Sequence, residues 1–157
     1  MDRMLKILNK NARLTDAQLA SMLGCTEQEA CAKREALENE GVVRGYQTLV
    51  DWERTDREYV TAIIELRVTP QKNSGFEGLA QQIMRYDEVE SLRLMSGGYD
   101  FFIEVSGRTF REVAMFVAKS LSTLDGVQST ATHFVLRRYK ESGFVFQDGE
   151  KDERGAL

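Results

Sequence analysis

The chain has 157 residues, 42% of them hydrophobic, and a formal net charge of −4, a size that holds one medium domain or two small ones. No stretch approaches the ~18 apolar residues of a membrane span, and Met1-Asp2-Arg3 lacks the apolar core of a signal peptide, so a cytoplasmic protein is expected. The acidic balance argues mildly against a large nucleic-acid surface.

Residues 1–45 read as helices. Asp2–Asn11 carries Met4, Leu5 and Leu8 at helical spacing. Thr15-Asp-Ala-Gln18 is a capping box that opens a second helix, with Leu19, Met22 and Leu23 on its apolar stripe and Gly24 as its stop. Thr26-Glu-Gln-Glu29 is another capping box, opening a third helix that runs to about Glu40 before Gly41. Two short helices around a glycine-containing turn predict a helix-turn-helix. Val42–Tyr46 then reads as a small β-wing leading into a strand over Gln47–Trp52, and the polar run 51–58 reads as a hinge.

From Tyr59 the period changes to two. Val60, Ala62, Ile64, Leu66 and Val68 share one face of a strand over Tyr59–Thr69, closed by Pro70, the only proline. A helix over Phe76–Tyr86 places Phe76, Leu79, Ala80, Ile83 and Met84 on one stripe. Leu92–Val105 reads as two strands joined by a two-residue turn at Gly97-Gly98. Thr109 caps a helix carrying Phe110, Val113, Ala114, Val117 and Leu121, and the last strand is Val127–Tyr139. The order βαββαβ predicts a ferredoxin-like domain over 59–140, with 141–157 as a C-terminal tail that is charged and aperiodic after Phe146. The fold class is thus α+β: a winged helix-turn-helix over 1–50, the hinge, then the ferredoxin-like domain. Two helices cover one face of a four-stranded sheet. Both faces carry apolar residues, Ile63 opposing Ile64, Phe102 opposing Phe101 and Val135 opposing Phe134, so a second copy is the expected cover of the other face.

Chemistry-bearing residues are few. Cys25 and Cys31 stand six apart and His133 is the one histidine. That excludes a disulfide framework and a thiolate zinc site, and no cofactor or metal is expected. No Ser/His/Asp or Cys/His set is present, so no enzyme is expected either.

Asp2, Ile7-Leu8, Asn11-Ala-Arg-Leu14, Leu19-Ala20, Leu23-Gly24, Leu37-Glu-Asn-Glu-Gly-Val-Val-Arg-Gly-Tyr46 and Val50-Asp51 resemble the N-terminal half of the Lrp/AsnC family of bacterial and archaeal transcription regulators. Ser96-Gly-Gly-Tyr-Asp100, Leu124-Asp-Gly-Val127 and Phe134-Val-Leu136 resemble its effector domain. The resemblance implies a regulator that binds double-stranded DNA, senses a small amino-acid effector and forms homodimers that often assemble further, to octamers. It places the effector between the sheets of neighbouring subunits, against Ser96, Gly97, Gly98, Tyr99 and Asp100 and against Thr130 and Thr132 on the last strand. Glycine N–H groups suit a carboxylate, the threonine hydroxyls add neutral hydrogen bonds, and Asp100 suits an ammonium.

DNA contacts are expected from Thr26, Gln28, Ala32, Lys33, Arg34 and Arg44. Here the chain departs from the family, which places serine, proline and several arginines in the recognition helix. Residues 26–40 hold five acids (Glu27, Glu29, Glu35, Glu38, Glu40) against Lys33 and Arg34, a net −3 on the element that must approach a polyanion. A sensor module with weak or lost DNA binding, acting through protein contacts, is therefore the competing reading.

Overall fold

The computed structural model describes residues 2–70 and 75–146. The chain divides into two compact units at Val50/Asp51.

In the first unit, helices α1 (Arg3–Lys10), α2 (Asp16–Leu23) and α3 (Glu27–Asn39) pack around Met4, Leu8, Leu19, Ala20 and Ala30. Each start is fixed by a side chain. Asp2 accepts the Met4 N–H at 2.7 Å, and Thr15 and Thr26 both close reciprocal capping boxes, with Gln18 and Glu29. Such caps satisfy N–H groups that a helix leaves without partners. Gly24 ends α2 in the left-handed conformation (φ 74°), so α3 can turn back against α2. Gly41 does the same for α3 (φ 68°), with the Val42 N–H returning to the Leu37 carbonyl at 2.9 Å.

The wing and its following strand differ from expectation. Residues 42–51 join no ladder among the described residues, and Trp52–Arg54 is a short 3-10 turn. The helix-closing bonds at Gly41–Val43 consume the backbone donors that a wing would use. The expected hinge is also structured. The Trp52 and Tyr59 rings lie 5.1 Å apart, with the Arg57 guanidinium over Trp52 at 5.1 Å.

The second unit is a four-stranded antiparallel sheet of β1 (Val60–Val68), β2 (Val89–Leu94), β3 (Phe101–Gly107) and β4 (Val127–Phe134), in the order β2-β3-β1-β4. Helices α4 (Glu77–Ile83) and α5 (Phe110–Phe116) cover one face. Ile64, Leu66, Phe101, Ile103 and Val105 project into that core, and Phe76 meets Phe101 edge-on at 5.8 Å. The ferredoxin-like order is as read from the sequence.

Several side chains are placed otherwise. Met84 is exposed because α4 ends at Ile83. Ala114 is exposed and Phe116 is buried in its stead, since α5 continues into a π-turn over Val117–Leu121 that rotates Val117 and Leu121 onto the sheet. Phe110 lies half outside, edge-on to Phe134 at 4.9 Å. The last strand stops at Phe134. Residues 140–145, expected in part to be tail, form a two-stranded hairpin of β5 (Lys140–Glu141) and β6 (Phe144–Val145). Ser142 and Gly143 supply its two positive φ angles (47° and 89°), as a tight hairpin turn requires. The tail after Phe146 lies outside the described residues.

The open sheet face is less apolar than the sequence suggested. Its register rows place Ile63, Phe102 and Ala131 among Glu65, Arg67, Arg93, Glu104 and His133. The Arg93 guanidinium covers the Phe102 ring at 5.2 Å, and His133 lies 3.7 Å from Glu65. At one end Thr61, Val135, Trp52, Arg138 and Phe146 enclose a cleft of only about 50 Å³.

Candidate functional site

In α3 the residues Gln28, Ala32 and Glu35 recur at helical spacing and are all exposed, opposite buried Ala30. Thr26, the N-cap, is exposed as well, and so is Arg44, whose guanidinium would lie 3.2 Å from a Cβ at Gly41. Lys33 is half-exposed and bound to Asp2 at 2.9 Å.

Arg34 is already engaged within the unit. Its guanidinium forks onto Asp16 (2.8 and 3.0 Å) and also reaches Glu38 at 3.0 Å, while the Tyr46 hydroxyl donates to Glu38 at 2.6 Å. Arg34 ties α2, α3 and the following segment together, and its partly exposed guanidinium is engaged by Asp16 and Glu38. The bidentate geometry that suits a phosphate is already spent on Asp16. Glu29 is also more than a surface charge, because it accepts from both the N–H and the hydroxyl of Thr26. Cys31 fits a reduced structural thiol: burial, with Glu35 and Asp16 beside it, pushes its pKa up and keeps it protonated.

The Arg34 cluster makes a pH prediction. The hydrogen bond from Arg34 holds the Asp16 carboxyl below its ordinary range, and the Tyr46 hydroxyl, then Arg34, does so for Glu38. Depressed carboxylates stabilise fully above their unfolded pKa of about 4 and lose that contribution as pH falls through the lower folded values. Arg34→Met should lower the melting temperature of the N-terminal unit at pH 7 and narrow its difference from pH 3. Circular-dichroism melts at the two pH values check this, and unchanged melting at pH 7 would refute it.

The loop between β2 and β3 is wider than expected. The Met95 N–H bonds the Asp100 carbonyl at 2.8 Å, so Ser96–Tyr99 form a four-residue loop rather than a two-residue turn. Only Gly97 has positive φ (138°); Gly98 does not, and a Cβ at either glycine meets nothing within 4 Å. Strain from a side chain is therefore expected at Gly97, not Gly98.

Two bonds pin the loop to β1. The Asp100 N–H donates to the Leu66 carbonyl at 2.8 Å, and the Asp100 carboxylate accepts the Val68 N–H at 2.8 Å. Asp100 is thus half-committed to the backbone, through a bond that spans 32 positions and has no local sequence signature. Arg67, which sequence reasoning missed, holds the Gly98 carbonyl through Nε at 3.1 Å and through a second guanidinium N–H.

Thr130 and Thr132 do share a face, but it is the helix-covered one. They pair with Leu66 and Ile64 of β1, and the Thr130 hydroxyl lies 3.4 Å from that of Ser122. Within one subunit they stand two strands from the loop, roughly 10 Å at the usual strand spacing. One chain does not bring the two halves of the expected effector site together.

The two units define a helix-turn-helix protein with a ferredoxin-like sensor domain. Residues 61–145 match the model of the Lrp/AsnC ligand binding domain. An uncharacterised HTH-type transcriptional regulator of Bacillus subtilis, YugG, is 43% identical over 96% of this chain and 91% of its own. The leucine-responsive regulatory protein of Haemophilus influenzae is 26% identical over 90% of this chain and 86% of its own. Among solved structures, a transcriptional regulator from Neisseria meningitidis in complex with L-Met superposes with a TM-score of 0.72 at 25% identity, covering 90% of this chain and 93% of that one. Escherichia coli AsnC does so at 0.68 and 23%, covering 88% and 91%. The chain belongs to the Lrp/AsnC family of transcriptional regulators. No helix among the described residues is long and apolar enough to cross a membrane.

Proposed function

We propose that this regulator reads duplex DNA through the exposed face of α3, and that an amino acid bound at the Ser96–Asp100 loop sets its affinity. The observation that carries the DNA half is the outward row Thr26, Gln28, Ala32 and Glu35 on a helix held by its Thr26/Glu29 capping box and by the Arg34 clamp to Asp16. Support for the effector half comes from the open, donor-rich glycine loop and from the L-Met complex of the Neisseria relative. A second copy covers the Ile63/Phe102 side of the sheet, giving a homodimer that can assemble further, and a cytoplasmic location follows from the role.

The acidic α3 limits affinity. Glu27 and Glu35 are exposed and repel phosphates. Glu29 caps the helix and is left in place. The double variant Glu27→Gln/Glu35→Gln should tighten binding to a random duplex several-fold, read by fluorescence anisotropy at low salt. Its melting temperature should barely move, since exposed substitutions usually fall within roughly ±0.5 kcal/mol. If neither protein binds a random duplex or one from upstream of its own gene, the sensor-module reading replaces this one.

A further inference from the structure

The effector loop presents donors and one unclaimed cation. Among the described residues the N–H groups of Ser96, Gly97, Gly98 and Tyr99 have no backbone partner, while both neighbours of the loop, Met95 and Asp100, do. The loop is exposed at Ser96–Gly98, and the space beside both glycines is open. Arg67 reaches this space from β1. It forms no ion pair among the described residues, and its two contacts converge on a single acceptor, the Gly98 carbonyl oxygen. A guanidinium has five N–H donors, so that arrangement leaves three unused, and a neutral carbonyl offers less to it than a carboxylate. Two carboxylates at neighbouring positions are otherwise engaged: Asp100 accepts from Val68, and Glu65, one position along the same strand face, lies against His133.

We infer that Arg67 is the residue that recognises the effector's carboxylate, exchanging the Gly98 carbonyl for a bidentate pair beside the loop N–H groups. This rests on the effector reading above and makes it more specific: the ligand carries a free carboxylate, and the contact is a side-chain fork as well as backbone. Arg67 is a long, exposed residue at the end of β1, so replacing it removes no core packing.

The test is calorimetry on the full chain with L-methionine and the other standard amino acids, each compared with its carboxamide, for wild type, Arg67→Gln and Arg67→Lys. Charge-assisted hydrogen bonds of this kind correspond to about tenfold or more in affinity. Wild type should favour the acid over the carboxamide by that factor. Arg67→Gln should lose it for the acid, bind the carboxamide as wild type does, and no longer separate the two. Arg67→Lys should retain part of the preference, having the charge without the fork. A residue that only held the loop in place would weaken acid and carboxamide alike, and that result overturns the assignment. So does undiminished acid binding in Arg67→Gln, or a wild type that binds both forms equally; in those cases the effector reading still stands. If wild type binds none of the amino acids, the effector reading fails and the Arg67 assignment falls with it.

Discussion

Phe101→Ala should cost the C-terminal unit about 3–5 kcal/mol, the usual range for deleting a buried aromatic ring. Phe101 is 2% exposed. It sits at the head of β3, paired with Leu66 on one side and Leu94 on the other, with Phe76 edge-on above it. The hole cannot collapse easily, because β1 and β2 flank it in register and the start of α4 lies above it. A domain stable by about 5–15 kcal/mol would lose a large share of its margin. Urea titration followed by fluorescence measures this directly, because Trp52, the only tryptophan, packs on Tyr59 in the same unit. A midpoint shift equivalent to less than about 1 kcal/mol would mean that the ring is not the keystone described.

Phe102→Asp is the contrasting case one residue away. The sequence alone left open whether this side chain faces the helices or the second copy. The register settles its direction: Phe102 pairs with Glu65 on the face opposite Leu66 and Phe101. In the proposed homodimer a carboxylate there would leave the fold intact and enter the two-fold interface twice, once from each subunit. Unpaired charge in an apolar contact is costly, and dimer dissociation should strengthen by about a hundredfold or more. Sedimentation should show dimer or larger for wild type and monomer for the variant, with unchanged circular dichroism. Wild type that sediments as a monomer at micromolar concentration would remove the sheet-to-sheet assembly.

What the sequence revealed depended on whether the signal was local. Capping boxes at Thr15 and Thr26 and the glycine stops at Gly24 and Gly41 involve residues at most a few positions apart, and the boundaries of α2 and α3 follow from them. Period-two alternation shows for the same reason which residues of β1 and β3 share a face, and the register then shows which face the helices cover. The misses are long-range or compensated. Arg34 looked like a phosphate ligand until the fold brought Asp16, 18 positions away, against it. The reach of Arg67 to Gly98 spans 31 positions and has no sequence signature. The Thr130/Thr132 pair was read correctly as sharing a face, but which face depended on the β1–β4 register. The Ser142-Gly143 turn was a readable signal that was passed over in favour of a charged tail.

The central claim is that DNA affinity resides in the N-terminal unit and is set by an amino acid bound in the C-terminal one. Fluorescence anisotropy of a labelled duplex from upstream of the protein's own gene, titrated with the full chain at several salt concentrations with and without each standard amino acid, tests it directly. Binding should weaken linearly in log affinity against log salt. At least one amino acid should move the dissociation constant by about fivefold or more, the scale of an ordinary coupling free energy. A dissociation constant that no amino acid changes, or no duplex binding at any salt, would contradict the account.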